Sequence, residues 1–446
     1  MNRKIWPKDS GARCAVKLLW GLALVRLNIC ACVVGCALAP GAFAQQAFTW
    51  AQIRDKFEAE NPTLLAGKLN IDESKAEETT AYLRPNPDLS VGLDQINPFS
   101  TQPPVNGGPN VYRPFEFALP LASVSYLHER AHKRELRLES AEKATAIAES
   151  QQADLERNLL FDLRNAFVQA LQAQAVLALA HENLEYYDKF LGVSRDRFKA
   201  GDIARVDLDR LELQRVQYES DVQTAEVNLR TAKIQLLMLL NDRTPVQKFD
   251  ITGPYDFPDQ IPDKDKLRTT AMDARPDLKA ALQSVDKAQT DHKLAIANGS
   301  TDPTFSADFA RNPPIPVYVG LSVDIPLRIF DRNQGEKLRT QLDITRNERL
   351  RDATRAQVFN DVDSAWETLN SNLILLRPYK AKYLQQAVSV RDTVAFAYQH
   401  GGASLLDFLQ AQQDYRTIQV SYLNLIGSFL TAASQLNLAV GKEVIQ

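Results

Sequence analysis

The sequence predicts a mainly helical protein built from a duplicated helix-strand-strand-long helix-helix unit, whose strands belong to a membrane β-barrel. Three observations lead to this fold class. Two helical segments 200 positions apart carry the same apolar pattern, a pair of alternating segments precedes each of them, and a long run of helical character follows each pair. An internal repeat of this kind decides the architecture before any other feature.

The repeated helical pattern lies in residues 206–240 and 406–440. Its positions are separated by alternating steps of three and four, which place one stripe along a helix face with the 3.5-residue period of a coiled coil. The two copies consist of Leu208, Leu211, Arg215, Tyr218, Val222, Ala225, Leu229, Ala232, Leu236 and Leu239, and of Phe408, Ala411, Tyr415, Ile418, Tyr422, Leu425, Phe429, Ala432, Leu436 and Ala439. Arg215 alone interrupts the apolar character of this seam.

The first 44 residues have the composition of a secretory signal peptide. Six basic residues precede a mostly apolar stretch, and Ala42-Phe43-Ala44 fits a cleavage site before Gln45. Val33-Val34-Gly35-Cys36 offers an alternative, because this tetrapeptide resembles a lipobox in which Cys36 would be lipidated. We expect cleavage after Ala44, and the lipoprotein is the competing hypothesis.

Cysteine usage and charge exclude several classes of protein. The four cysteines, Cys14, Cys30, Cys32 and Cys36, all lie in the leader, so neither a disulfide nor a thiolate metal site is expected beyond it. From residue 45 onwards there are 46 basic and 54 acidic residues, a net charge of −8, which argues against a nucleic-acid partner. No later segment has eighteen consecutive apolar residues, so no transmembrane helix is expected there.

The first unit is predicted to span residues 45–241. A helix runs from Phe48 to about Leu83 with a kink at Asn61-Pro62. Apolar residues then alternate with polar or small ones in 89–93 and in 115–119, which predicts two strands.

A long turn at 97–110 joins these strands, and Pro120 closes the second. The chain from Leu121 to Leu191 contains neither Gly nor Pro, which predicts one long helix that ends at Gly192 or Gly201. A return helix from about Asp202 to Leu240 completes the unit.

A linker at 242–265 and a second unit at 266–446 follow. Arg275-Pro276 repeats the kink motif of the first helix. Segments 303–309 and 317–325 predict strands that are joined by a short turn at 311–316. A second long helix is expected from about Glu336 to His400, interrupted by Pro378, before the return helix.

This order of elements has a physical consequence. Four strands of about ten residues with one apolar face can cross a bilayer at a tilt. Four strands cannot close a barrel, and an open strand edge in lipid costs several kcal/mol for each unpaired group. Several copies must therefore contribute strands. Helices of about 100 Å cannot lie in the same membrane, so they must project into an aqueous compartment.

Four short motifs carry a family resemblance. They are the strand ends Ala118-Leu-Pro-Leu121 and Asp324-Ile-Pro-Leu327 and the helix turns Phe198…Gly201…Asp207 and Tyr398…Gly401…Asp407. Because these motifs occur in this order and at this spacing, the chain resembles the TolC-like outer-membrane efflux proteins over its whole mature length. The phrase from Ile325 to Glu336 is similar to the CzcC-like heavy-metal branch of that family.

The resemblance implies a homotrimer in the cell outer membrane. Each protomer would give four strands to a 12-stranded β-barrel, continuous with an α-helical periplasmic tunnel. It also implies a passive duct from the periplasm to the exterior, in contact with a periplasmic adaptor protein and an inner-membrane pump, with no catalytic activity and no cofactor. The turns at Gly201 and Gly401 would lie at the periplasmic tip, and the turns at 97–110 and 311–316 would face the exterior.

The resemblance also directs attention to Asp207 and Asp407, which occupy positions where family members close the tip with polar contacts. A carboxylate in the first turn of a helix is also stabilised by the helix dipole, by about 0.3–1 kcal/mol. The two interpretations are compatible. Gly201, Asp202, Arg205 and Gly401 complete the candidate set for gating or adaptor contact.

Other classes of site find little support. The sequence contains no P-loop, no G-x-G-x-x-G and no H-E-x-x-H motif. His128 and His132 are four residues apart and could bind a metal, but a solvated helix face is the favoured interpretation. Two alternatives to an efflux duct for metals or drugs stay open: a duct of the same fold for type I protein secretion, and a structural periplasmic coiled-coil protein.

Overall fold

The computed structural model describes residues 47–99, 101–102, 108–115, 118–312 and 315–445. The predicted signal peptide, with Cys36 and Ala44, lies outside the described residues, and its processing stays a prediction. Parts of the two predicted exterior turns also lie outside them.

The first half of the chain contains a kinked helix, strands, a long helix and a return helix. In order these are β1 Ala47–Phe48, α1 Trp50–Glu60, α2 Pro62–Tyr82, β2 Asp88–Asp94, β3 Thr101–Gln102, β4 Val111–Tyr112, β5 Leu119–Leu127, α3 Lys133–Ala200 and α4 Arg205–Leu239. The short strands β3 and β4 pair with each other.

The second half repeats this order. Its elements are β6 Asp250–Ile251, α5 Lys264–Ala274, α6 Pro276–Asn298, β7 Thr304–Asn312, β8 Ile315–Asp324, α7 Gln334–Pro378, a π-helical turn Tyr379–Tyr383, α8 Leu384–Gln399 and α9 Leu405–Val440. Strand β6 lies in the predicted linker and pairs in parallel with β1. The predicted interruption at Pro378 is this single π-helical turn, as expected where proline removes a helical hydrogen bond.

The kinks of the two halves have different caps. Asn61 ends α1 and caps α2, because its side-chain oxygen accepts from the backbone N–H groups of Thr63 and Leu64 at 3.0 and 3.1 Å. Arg275 takes the equivalent place between α5 and α6. Its buried guanidinium donates to Asp277 at 2.6 Å and to Asp361 at 2.8 Å. The proline that follows each residue is tolerated at the first helical position, which has no intrahelical partner for an N–H.

The predicted boundaries of the second strand and of the first long helix are wrong. The strand covers Leu119–Leu127 and so continues past Pro120, and α3 begins only at Lys133. Ala122, Val124 and Tyr126 alternate with Ser123 and Ser125, a period-two pattern that favours a strand. The absence of Gly and Pro from a segment does not by itself indicate a helix.

The far end of α3 also differs from the prediction, because the helix passes through Gly192 and ends at Ala200. A glycine within a helix costs only about 1 kcal/mol relative to alanine. Such a cost is small for a 68-residue helix that is packed along its length.

One antiparallel sheet combines strands of both halves, in the order β2-β5-β7-β8. Strand β5 of the first half pairs with β7 of the second, with Val124 opposite Ala307. The seam on the return helices is largely buried. Leu211, Leu236, Phe408 and Phe429 are among its fully buried members, which confirms its predicted packing role.

Helix α9 is apolar and long enough to cross a membrane by composition. Half of its most apolar window is buried inside the protein, where Phe429 and Leu436 pack with Leu369 and Leu373 of α7. The core of the helical region explains this apolar character.

Candidate functional site

The four-stranded sheet has one apolar face and one polar face. Its register aligns Leu89, Val124, Ala307 and Leu321 in one row across the strands. The next row on that face contains Val91, Ala122, Phe309 and Val319. Large members of these rows are exposed, with 84% of Leu321 and 77% of Val91 accessible to solvent. An exposed apolar surface of this kind marks contact with a membrane or a partner.

The opposite face carries small and polar side chains. One row contains Ser90, Ser123, Asp308 and Gly320, and the neighbouring row contains Asp88, Ser125, Ser306 and Ser322. Apolar residues on one face and polar residues on the other are the pattern of a transmembrane strand that faces lipid on one side and water on the other.

Both ends of this sheet are open. Within the described residues, β2 pairs only with β5, and β8 pairs only with β7. Each edge therefore presents unpaired backbone groups beside exposed apolar side chains such as Leu89 and Val319. Soluble proteins protect such edges with charges, prolines or covering segments, because an exposed apolar edge pairs readily with another strand.

A buried ion pair fixes the sheet to the helices. Lys133, at the start of α3, is only 4% exposed and donates to Asp302 at 2.5 Å and to the carbonyl oxygen of Ser300 at 3.0 Å. The backbone N–H of Arg130 also donates to Asp302. Burial raises the pKa of Asp302, but the hydrogen bonds from Lys133 and Arg130 lower the pKa more, so its net pKa is below the usual value.

The two histidines that were considered for a metal site lie at this same joint and precede α3. His128 follows β5 and packs edge-on against Phe305, whereas His132 adopts a left-handed backbone conformation at the helix start. The predicted solvated helix face is therefore wrong, because neither residue lies within a helix. Among the described residues no group of three or more His, Cys, Asp or Glu could hold a metal ion.

The two turns between long helices have the same backbone geometry. Gly201 and Gly401 have φ values of +87° and +76°, a left-handed conformation that glycine adopts at little cost. The next N–H group donates back in both turns, from Asp202 to Arg197 at 2.9 Å and from Gly402 to Ala397 at 2.7 Å. The repeat therefore extends to the atomic structure of the turns.

An aromatic cluster joins the two turns. Phe190 of α3 stacks on Phe408 of α9 with ring centroids 3.9 Å apart, and Tyr398 of α8 packs against both rings. Tyr187 and Tyr218 stack at 4.5 Å in the same cluster. We refer to these five residues as the tip cluster.

The two candidate aspartates have different surroundings. Asp407 forms a capping box with Ser404, whose hydroxyl and backbone N–H both donate to it, at 2.7 and 3.0 Å. These bonds lower the pKa of Asp407. Asp207 has no such cap. Burial raises the pKa of the Tyr398 phenol, and the negative charge of Asp207 raises this pKa further.

The other tip candidates have local partners. Arg205 pairs with Asp209 one helical turn away, at 2.9 Å, and its guanidinium lies 5.8 Å from the centroid of the Phe198 ring. Asp202 is exposed, and its described contact is the backbone bond of the turn. The structure therefore brings the two turns together through aromatic packing and not through ion pairs among the six predicted residues.

Sequence reasoning missed two arginines that connect the halves. Arg416 of α9 pairs with Asp221 of α4 at 2.7 Å and lies 4.5 Å from the centroid of the Tyr218 ring. Arg391 lies 4.4 Å from the Tyr186 ring centroid and 4.2 Å from that of Tyr415. Only the place of Arg416, directly after a seam residue, offered a signal in the sequence.

The interruption of the seam at Arg215 is also explained. Its guanidinium donates to Asp188 of α3 at 2.5 and 3.1 Å and pairs with Glu219. These carboxylates raise the pKa of Arg215. The charge therefore forms a link between α3 and α4 at a position where the seam is only partly buried.

Comparison with known proteins identifies the family. The profile described as outer membrane efflux protein matches residues 53–242. Residues 53–242 belong to the outer membrane efflux protein family. This match covers the first half, and the second half repeats its order of elements.

Two curated relatives agree with the family assignment. The cobalt-zinc-cadmium resistance protein CzcC of Cupriavidus metallidurans is 24% identical over 70% of this chain and 75% of its own length. The outer membrane protein TolC of Escherichia coli is 23% identical over 60% of this chain and 58% of its own length.

The fold has a close counterpart among solved structures. The crystal structure of CusC, described in terms of folding and transmembrane channel formation, has a TM-score of 0.72 at 16% identity. The matched region covers 88% of this chain and 92% of the CusC chain. The predicted family, the outer-membrane location and the role as a non-enzymatic efflux channel are confirmed. The mainly helical fold is also confirmed, and one protomer carries an open four-stranded sheet, so the trimeric barrel stays a prediction.

Proposed function

We propose that this efflux protein acts as a homotrimer in which the four-stranded sheets of three copies form one 12-stranded barrel. The sheet of a single protomer carries this proposal, because it has an exposed apolar face, a polar opposite face and two open edges. Pairing β2 of one copy with β8 of the next would satisfy both edges. The apolar face would then contact lipid, and the row with Asp308 would line the lumen.

The long helices extend the duct into the periplasm. Helix α3 has 68 residues and therefore spans about 100 Å at 1.5 Å per residue. This length is several times the hydrocarbon thickness of a bilayer, so the helices form the aqueous tunnel. The turns at Gly201 and Gly401 then lie at the end of the tunnel, where a periplasmic adaptor and an inner-membrane pump deliver cargo.

We favour metal ions or small drugs as cargo over secreted protein. The support comes from the printed name of CzcC, which links a relative to cobalt, zinc and cadmium resistance, and from the similarity of residues 325–336 to the heavy-metal branch. Among the described residues no candidate metal cluster supports selection of the cargo by the duct itself. Cargo choice in this proposal belongs to the pump.

The tip would carry the control of opening. Asp207 and Asp407 would together place six carboxylates around the entrance of a trimer. Asp407 already contributes to the helix cap, so Asp207, which has no capping partner, is the stronger candidate for gating. Gly201, Asp202, Arg205 and Gly401 would shape the surface that meets the adaptor.

A cross-linking experiment tests the assembly directly. The four native cysteines lie in the predicted signal peptide, so Val91→Cys on β2 and Val319→Cys on β8 give defined reactive sites. A short bifunctional thiol reagent should link copies of the double variant into trimers within the outer-membrane fraction. Each single variant, which has only one edge labelled, should stay unlinked. Val124→Cys and Ala307→Cys form a matched control pair on two non-edge strands. If this pair linked copies into trimers as well as the edge pair does, edge-to-edge assembly would be contradicted.

A further inference from the structure

A second candidate site lies in the helical region, far from the tip. A solvent-open cavity of about 410 Å³ lies between the start of α1, the middle of α3 and the end of α9. Trp50, Leu160, Phe161 and Leu438 give it apolar walls. Cavities of about 300 to 1,000 Å³ are typical of small-molecule sites.

The cavity is rich in positive charge, although the chain beyond the leader is acidic. Arg54, Arg157, Arg164 and Lys442 line it, against Glu156 and Glu443. Three of these four cations are guanidinium groups, which can bind a carboxylate or phosphate through two parallel hydrogen bonds.

The guanidinium groups are incompletely paired. Arg164 forms no ion pair within the described part of the chain, and it lies 4.5 Å from the centroid of the Trp50 ring. Burial lowers the pKa of Arg164, and the more distant charge of Glu443 offsets this effect only in part. The buried Nε atoms of Arg54 and Arg157 have no hydrogen-bond partner, although Glu58 lies 3.7 Å from the Nε of Arg54 and Asp154 pairs with Arg157. Arg164 is therefore the half-buried charge without an ion-pair partner among these three, and an anion in the cavity would reduce the cost of its burial.

We infer that this cavity is a binding site for a small organic anion that joins a carboxylate or phosphate to an apolar group. The anionic group lies against Arg164 and Arg54, and the apolar group lies against Leu160 and Phe161. Arg157 contributes less, because it already donates to Asp154 and to the carbonyl oxygen of Leu438.

The position of the cavity indicates a water-soluble ligand. Arg157 lies 24 residues after Lys133, about 36 Å along α3 from the end of the sheet. If the sheet spans the membrane, as proposed above, this distance places the cavity beyond the lipid headgroups. The binding site itself does not depend on transport, so the two proposals can fail separately.

Trp50 supplies a probe inside the cavity. In a Trp366→Phe background, cyclohexanecarboxylate should change the Trp50 fluorescence of the purified protein in a saturable way. Cyclohexanemethanol, which has the same ring without the charge, should bind at least tenfold more weakly, and so should acetate. A Trp50→Phe variant should abolish the signal.

Three substitutions separate binding from folding. Arg164→Gln should weaken the binding of cyclohexanecarboxylate at least tenfold. Arg164→Lys keeps the charge and should recover part of the affinity. Arg54→Gln should weaken binding from the opposite wall. Oligomer mass and helical content should match the parent protein for each variant.

Three results would overturn the inference. The first is equal binding of the alcohol and the carboxylate, and the second is unchanged affinity in correctly folded Arg164→Gln. The third is a Trp50 shielded from acrylamide in the intact oligomer with no saturable response to the probe, which would show that a second copy fills the cavity.

Discussion

The ring of Phe190 in the first half of the chain lies 3.9 Å from the ring of Phe408 in the second half, with only 14° between their planes. Phe408 is fully buried, and Tyr398 packs on it at 5.4 Å. This contact lies next to both turns of the long helices. It indicates that apolar packing holds the two hairpins together within a protomer, while the charged residues lie around it.

Removing this ring should destabilise the tip. Phe408→Ala leaves a cavity in the tip cluster and should lower the free energy of unfolding by about 3 to 5 kcal/mol. Chemical denaturation of the solubilised protein, followed by circular dichroism, measures the change. Gln410→Ala on the exposed side of the same helix should cost no more than about 0.5 kcal/mol. An equal loss for both variants would show that the stacked rings contribute nothing special.

The tip carboxylates should control ion passage. Replacing Asp207 and Asp407 together with alanine should reduce cation selectivity and change conductance in planar bilayers, since six negative charges leave the entrance of a trimer. Asp407→Ala alone should also lower stability, because it removes the carboxylate half of the capping box of α9, whose N-cap residue is Ser404. Asp196→Ala, an exposed carboxylate on the last turns of α3, is the control. Wild-type selectivity in the double variant would limit both residues to a structural role.

The two faces of β8 should respond differently to charge. Leu321→Lys puts a cation on the apolar face and should reduce insertion, at a cost of about 2 to 4 kcal/mol if the residue lies near the bilayer centre. Ser322→Lys puts the same cation on the polar face and should leave insertion intact while shifting selectivity towards anions. Heat-modified migration in gels measures insertion. Normal insertion of Leu321→Lys would contradict the assignment of faces.

An ion pair between α1 and the end of α4 should make stability depend on pH. Burial raises the pKa of Asp242, but hydrogen bonds from Lys56 and Thr244 outweigh it and lower the pKa to about 2, from 3.8. A depressed carboxylate pKa stabilises the folded state above the unfolded pKa, and this contribution is lost as the pH falls towards 2.

We therefore expect Asp242→Asn to lower stability by about 1 to 2 kcal/mol at pH 7, after allowance for solvent screening. The difference from the parent protein should shrink between pH 4 and pH 2. Denaturation at several pH values measures this, with the exposed Asp55→Asn as control. A difference that stays constant down to pH 2 would show that the carboxylate charge is not the cause.

The sequence predicted the repeated elements well, because periodicity and proline position are local signals. The seam from Leu208 to Leu239 and the kinks before Pro62 and Pro276 are of this kind. The start of α3 was missed because Ala122, Val124 and Tyr126 are compatible with either a strand or a helix until a pairing partner is known. Their partner β7 lies about 180 residues later, with Phe305 opposite Tyr126, and no local pattern reports such a pairing.

The site was predicted less completely than the fold. The prediction that the chain turns at Gly201 and Gly401 was correct, because both residues have a positive φ, which favours glycine. The cross-links of Arg416 with Asp221 and of Arg391 with Tyr186 and Tyr415 depend on how one hairpin packs against the other. A charged residue beside an apolar seam is common on any coiled coil, so its partner emerges only in three dimensions.

The central claim is that one protomer holds an incomplete sheet that is closed by other copies. Light scattering of the detergent-extracted protein, corrected for bound detergent, measures this most directly. The account predicts a particle of three protomers that keeps its strand content. A stable monomer with the same strand content would contradict the account, because its apolar strand edges at β2 and β8 would then need no partner.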